Sequence, residues 1–200
     1  MIEYFPTNYV WNLSVNLALA TGGNYGEIDD VCRPLVEPSR RTDDSGAEAF
    51  FHAWSSLGDR LYSLAEADLA AGRKLSAGTK LERAAVYYMT AERVTHPTFE
   101  PRKPVYKKGL ACFVQHTELS EANCRRVDIP YDGTTLAGLF VAAKGSNPKA
   151  PCIVLANGLD SFKEMIYGSG IQSALADRGI SSISVDQPGT GEALRLNGLT

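Results

Sequence analysis

Several things are scarce in this chain, and each scarcity removes a class of function. Cysteine occurs four times in 200 residues, at Cys32, Cys112, Cys124 and Cys152. None of these forms a C-x-x-C pair, which removes thiol–disulfide exchange and zinc-knuckle chemistry, and free thiols in a reducing compartment are the expectation. Histidine occurs three times, at His52, His96 and His116, and no His, Cys and Asp spacing in the chain suggests a zinc site. No metal is expected. Long apolar runs are missing, none approaching the roughly 20 residues that span a bilayer, so no membrane segment is expected. The first residues, Met1 to Pro6, lack the cationic start and apolar core of a signal peptide. The sequon Asn12-Leu13-Ser14 therefore has no secretory route to support it, and a cytoplasmic location is expected. An excess of positive charge is missing too: 20 Lys and Arg face 23 Asp and Glu, for a net charge of −3. With a pI near 5.6 there is no basic footprint, so nucleic acid is not an expected partner. Neither G-x-x-x-x-G-K-[ST] nor a G-x-G-x-x-G after the first strand is present, which removes nucleotide cofactors. No cofactor is expected.

What is present is the material of a globular chain, since 44% hydrophobic and 22% charged residues are ordinary proportions for one. The first half has helical periodicity. Asn8 to Ala20 is apolar with short polar breaks, and Gly22-Gly23-Asn24 stops it. From Ala47 to Gly72, Phe50, Trp54, Leu57, Leu61 and Leu64 recur in steps of 4, 3, 4 and 3, one helical stripe. Ala71 extends it, although Asp68 interrupts it. Ser76 is the expected N-cap of the next helix, with Leu81, Ala84, Ala85, Tyr88 and Ala91 inward, and His96-Pro97 closes it. These two segments are expected to form an antiparallel hairpin. Residues 97–106, with Pro97, Pro101 and Pro104, form a connection, and a short helix from Tyr106 to His116 follows.

The period changes near Cys124. Arg125 to Tyr131 alternates like an edge strand, Asp132-Gly133 is a hairpin turn, and Thr134 to Ala142 returns. After the loop Lys144 to Lys149, Cys152 to Ala156 is expected to be a buried strand. Ser169 to Arg178 is a helix capped by Gly179, and Ser181 to Val185 a second buried strand. Strand, crossover helix and strand imply a parallel, right-handed pair. The fold expected is α/β: a helical domain over 1–117, then the beginning of a sheet over 118–200, with working loops at the strands' carboxyl ends.

Two such loops carry the candidate chemistry. Asn157-Gly158-Leu159 leaves the strand at 152–156, where a backbone amide can point at a developing oxyanion, although a plain turn explains the same glycine. Asp186-Gln187-Pro188-Gly189-Thr190-Gly191-Glu192 leaves the strand at 181–185. There Asp186 can hold the loop backbone, and Glu192 can complement a helix dipole. Tyr87 and Tyr88 read mainly as core residues, yet an aromatic from a helical lid also lines apolar substrate pockets. His52 reads as a helix-face residue, and His96 and His116 as helix ends.

Taken together these motifs resemble the FrsA-like group of α/β-hydrolases with an N-terminal helical domain. That group includes 2,6-dihydroxypseudooxynicotine hydrolase and the polyketide-shortening pigment hydrolases. The resemblance runs from about residue 45 onward. It rests on Gly72-Arg73-Lys74-Leu75-Ser76-Ala77, on Leu81 to Tyr88, on Ala91-Glu92-Arg93, and on the hairpin at Asp132-Gly133. Ala156 to Glu164 and Asp186 to Glu192 complete it. It implies a helical cap that closes over the site, sets specificity and often aids dimerisation. It also implies an oxyanion-hole amide from Asn157, Gly158 or Leu159, and a site-shaping loop of Asp186, Gln187, Pro188 and Gly189. Asn157 departs from the more usual His or Gly.

The rest of that family's machinery is missing from these residues. There is no G-x-S-x-G, and no histidine between 117 and 200, so no serine in the α/β half has a base after it in the family's order. The expectation is the front part of a longer serine hydrolase. Its bond would be an ester or the C–C bond of a β-diketone-like, aromatic or polyketide-type small molecule. Its partners would be that substrate and a second copy in a homodimer. A non-catalytic binding module derived from the same fold is the alternative. A helical-repeat scaffold is set aside, because 47–94 is a single pair where such arrays need about three.

Overall fold

The computed structural model describes residues 2–41, 45–145 and 149–200. The expected loop at 144–149 therefore lies partly outside the described residues, at Ser146, Asn147 and Pro148. The chain divides into two compact units, Met1–Glu121 and Ala122–Thr200.

The first unit is helical: α1 (Tyr9–Ala20), α2 (Tyr25–Cys32), two 3-10 turns at Arg33–Leu35 and Pro38–Arg40, α3 (Ser45–Ala70), α4 (Lys74–Arg93) and α5 (Arg102–Leu119). Asn8 caps α1 by accepting from Trp11 N, and Asn24 caps α2 by accepting from Gly26 N and Glu27 N. α4 packs along both α3 and α5. Phe50, Trp54, Leu57 and Leu61 of α3 are buried, as are Leu81, Ala84, Ala85, Tyr88 and Ala91 of α4. Each large apolar side chain so buried stabilises the unit by about 1.5–3 kcal/mol. An aromatic run, Phe5–Trp11–Phe50–Trp54–Tyr87, crosses this core with ring centroids 5.3, 4.8, 5.4 and 5.8 Å apart. α3 and α4 approach closely at Gly58, where a β-carbon would stand 2.7 Å from the Tyr88 ring.

Three helical expectations need correction. The stripe on α3 continues through Ala65 and Asp68, both buried, while Leu64 is 48% exposed and Ala71 is exposed. At 100° per residue Leu64 and Ala71 fall at the margin of the arc, and Asp68 lies at its centre. Asp68 does not interrupt the packing; it clasps the turn, accepting from Arg73 Nε (2.8 Å), Ser76 Oγ (2.6 Å) and Lys80 Nζ (2.5 Å). Ser76 is thus inside α4, spent on Asp68, and Arg73 holds the N-cap position. The short helix expected from Tyr106 begins at Arg102, because Pro104 sits in its first turn, where a missing N–H costs nothing.

The second unit is a four-stranded sheet in the order β1-β2-β4-β3: β1 (Arg125–Tyr131), β2 (Thr134–Val141), β3 (Cys152–Ala156) and β4 (Ser181–Val185). β1 and β2 form the expected antiparallel hairpin, with φ of +40° at Asp132 and +75° at Gly133, the conformation of a tight two-residue turn. β2 pairs antiparallel with β4, and β4 pairs parallel with β3, Ala156 opposite Val185. The crossover is two short helices, α6 (Lys163–Gly168) and α7 (Ile171–Ala176), not one over 169–178. Gly170, at φ +78°, divides them. From α7, Gln172 is fully buried; its Nε2 donates to Leu139 O (3.1 Å) and Ser182 Oγ (3.3 Å), and Ser184 Oγ donates to its Oε1 (3.2 Å). A short helix, α8 (Gly191–Arg195), follows β4.

β4 is buried as expected, but β3 is not. β3 is an edge, with Ile153 40% and Val154 70% exposed. Its apolar sequence reads as that of a strand covered on both faces, and among the described residues nothing covers it.

Candidate active-site loops

Because β3 and β4 run parallel and adjacent, their carboxyl ends emerge side by side, and the two candidate loops meet there. Asn157 is the joint. Its backbone N–H donates to Gln187 Oε1 (3.1 Å), Gln187 Nε2 donates to its carbonyl (2.7 Å), and its side-chain Nδ2 donates to Val185 O (2.9 Å) and Asp186 Oδ1 (2.7 Å). Gly158 and Leu159 continue the turn outward, Leu159 being 86% exposed. Among the described residues their N–H groups make no hydrogen bond, whereas that of Asn157 is spent.

Asp186, wholly buried, is the second joint. Oδ1 also accepts from Lys163 N (2.8 Å), and Oδ2 accepts from Glu192 N (2.9 Å) and Lys163 Nζ (3.0 Å). One carboxylate thereby caps the amino ends of both α6 and α8, where anions are favoured. The loop between is shaped by Thr190, whose N–H and Oγ1 both donate to Gln187 O (3.0 and 2.9 Å), closing the turn over Pro188 and Gly189. Gly191 has φ +45°, and a β-carbon there would stand 2.0 Å from Asp186 Cγ. Only glycine fits.

The joint is held by a buried ionic core. Lys163 Nζ contacts Asp186, Glu164 Oε1 (2.7 Å) and Glu192 Oε1. Arg126 Nη1 reaches Glu192 Oε1 from β1 (2.7 Å). Burial alone would push the Lys163 ammonium down, but Glu164, Asp186 and Glu192 outweigh it and hold the group above its ordinary range. Burial likewise pushes Glu192 up, and Arg126 and Lys163 reverse that and hold it below its ordinary range. Glu164 goes the other way: its burial, with Asp186 and Glu192 nearby, keeps it raised despite Lys163. Its Oε2 is buried with no hydrogen-bond partner.

Tyr87 and Tyr88 lie in the core of the helical unit. Tyr87 OH donates to Glu27 Oε2 (2.6 Å) and accepts from Asn24 N (2.9 Å), and Tyr88 OH donates to Asp59 Oδ1 (2.6 Å). His52 is exposed on α3. Among the described residues no group of three His, Cys, Asp or Glu could hold a metal ion, and no helix is long and apolar enough to cross a membrane. Lys163, Glu164 and Arg126 carried no assigned role in the sequence. A lysine–glutamate pair directly after a strand-exit turn was the available signal.

No family model matches the chain. It is similar to hydrolase LUC6 of a Fusarium species, 29% identical over all of this chain and 48% of that protein. It is similar to the alpha/beta hydrolase xenA of Xenoacremonium sinensis, 31% identical over 75% of this chain and 36% of that one. It also resembles the 20-hydroxy-prefusarin hydrolase FUS2 of Gibberella moniliformis, 31% identical over 80% of this chain and 39% of that one. The chain thus spans about half or less of the length of these relatives. Among solved structures, that of 2,6-dihydroxy-pseudo-oxynicotine hydrolase superposes with a TM-score of 0.66 at 24% identity, over 88% of this chain and 46% of the other. By sequence the chain belongs with the α/β-hydrolases, and it shares its fold with 2,6-dihydroxy-pseudo-oxynicotine hydrolase.

Proposed function

We propose that these residues are the front of a serine-type α/β-hydrolase, with nucleophile, acid and histidine supplied outside them. The observation that carries this is the turn at the end of β3. It is locked to the β4 exit through Asn157, Gln187 and Asp186, while the Gly158 and Leu159 amides remain unspent. Two fixed N–H donors at a strand exit suit the oxyanion of acyl transfer, where removing one donor typically costs about 10²–10³ in rate. Asn157, whose N–H is occupied, sets the turn; Gly158 and Leu159 do the donating. Asp186, Gln187, Pro188 and Gly189 form the neighbouring wall. Residues 1–117 act as the cap and set specificity, Tyr87 and Tyr88 supporting it from within its core, and 118–200 begin the catalytic core. The apolar edge at Ile153 and Val154 is what further strands of the sheet would cover.

The substrate class is a small aromatic or polyketide-type molecule, cleaved at an ester or a β-diketone-like C–C bond. The relatives named for 20-hydroxy-prefusarin and 2,6-dihydroxy-pseudo-oxynicotine support a small-molecule substrate. The enzyme works in the cytoplasm as a homodimer, which light scattering and fractionation test. The chemistry is tested by incubating the full native polypeptide with an activated aryl acetate and an aryl β-diketone. Turnover of either, abolished by a serine-directed phosphonate, is expected. Binding of such aromatics without turnover of any substrate would instead establish a non-catalytic module.

A further inference from the structure

Arg126, Lys163, Glu164, Asp186 and Glu192 form one connected cluster, and at its surface Arg126 also pairs with Asp128 (3.0 Å). All but Arg126 are at most 10% exposed at the side chain. Inside it one buried ammonium, that of Lys163, serves three carboxyl groups, an excess of negative charge that a bound proton relieves. The hydrogen bonds say where it sits. Asp186 accepts four, from Asn157, Lys163 (twice) and Glu192. Glu192 accepts from Arg126 and Lys163. Glu164 has Lys163 on Oε1 alone, with Oε2 bare.

We propose that Lys163 and Glu164 are positioning residues for the Gly158–Leu159 turn: Lys163 clamps Asp186, and Glu164 holds the proton that relieves the crowding of carboxylates around Lys163. The proposal rests on the acyl-transfer reading for its catalytic consequence. Lys163 Nζ is shared by three carboxyl groups. When Glu164 ionises, it competes with Asp186 for that ammonium, Asp186 loosens its hold on Asn157, and the turn shifts. A displacement of about 1 Å at a reacting centre can cost on the order of 10²-fold in rate. Among the described residues, the groups whose charge couples to Glu164 include Lys163 on its own helix, Asp186 after β4, Glu192 on α8, and Cys124 ahead of β1. The Cys124 thiol is pushed up to about 12 by burial and then by Glu164 itself, so it stays neutral. β2 and α7 carry no ionisable side chain.

The test uses Glu164→Gln in the full native polypeptide. Wild-type kcat is expected to fall on an alkaline limb by about tenfold per pH unit once Glu164 ionises, and the variant is expected to lack that limb. The acidic limb from the histidine base should appear in both. Thermal unfolding reads the same proton without catalysis. A carboxyl raised in the folded state stabilises least at high pH, so wild-type Tm should fall relative to the variant as pH rises above the ordinary glutamate range of 4.5. A wild-type kcat flat across the alkaline range, or the same limb in both proteins, overturns the proposal, as do parallel Tm curves. Diverging Tm curves with no acyl transfer at any pH would overturn the proposed function and leave the proton on Glu164.

Discussion

Gly191→Ala is the sharpest single perturbation of the loop core. Residue 191 sits at φ +45°, where a side chain costs about 1–2 kcal/mol in strain. The added carbon would also lie 2.0 Å from Asp186 Cγ, with both carboxylate oxygens within 2.2 Å. Asp186 is wholly buried and cannot move aside without releasing its bonds to Lys163, Asn157 and Glu192, each about 1.5–3 kcal/mol for a charged partner. Partial relaxation brings the expected loss to about 4 kcal/mol in total. Gly189→Ala is the matched control: φ is +86°, but nothing lies within 4 Å of its missing β-carbon, so strain alone is expected, about 1–2 kcal/mol. Urea unfolding followed by circular dichroism separates them. At a slope of about 2 kcal/mol/M, the midpoint should fall by about 2 M for Gly191→Ala and by under about 1 M for Gly189→Ala. Equal shifts would refute the Asp186 contact as the reason for the glycine.

Three further outcomes follow from the packing and the charges. Gly58→Ala should destabilise the helical unit by about 1–3 kcal/mol through overpacking against Tyr88, read by thermal melting; an unchanged Tm would contradict the close approach of α3 and α4. Gln172→Leu strips Leu139 O and the Ser182 and Ser184 hydroxyls of their partner and should cost about 1–3 kcal/mol in denaturant unfolding, a neutral effect counting against the buried pillar. Glu192, held below its ordinary value of 4.5, stabilises the fold above that pH and loses the contribution as pH falls through its lowered folded value. The stability gap between wild type and Glu192→Gln should therefore narrow on acidification, and a gap constant with pH would show that the ion pairs with Arg126 and Lys163 contribute nothing.

The elements whose cause is local were legible in the sequence. Asp132-Gly133 specifies its turn by positive φ, and the β3–β4 pair follows from two short apolar runs with a crossover between them. What was not legible depends on neighbours remote in sequence. Nothing periodic reveals that Asp68 closes the α3–α4 turn, since its partners are set by a reversal of the chain. The apolar run at 152–156 does not say which side of the sheet it occupies, and it lies on the edge. Gly170 divides the crossover helix, because a left-handed residue interrupts what composition reads as continuous. Of the loop core, Asn157 and Asp186 stood at readable strand exits. Arg126, Lys163 and Glu192 meet across 66 positions, a distance no spacing rule covers, and Glu164 becomes notable only when its burial is known.

The two unspent amides beside Asn157 are open to direct observation in one titration. With ¹⁵N-labelled native polypeptide and an aryl boronic acid that mimics the tetrahedral oxyanion, the Gly158 and Leu159 amide resonances should shift on binding while that of Asn157 stays with Gln187. Saturable binding that moves neither resonance, or that moves Asn157 alone, would contradict the acyl-transfer reading.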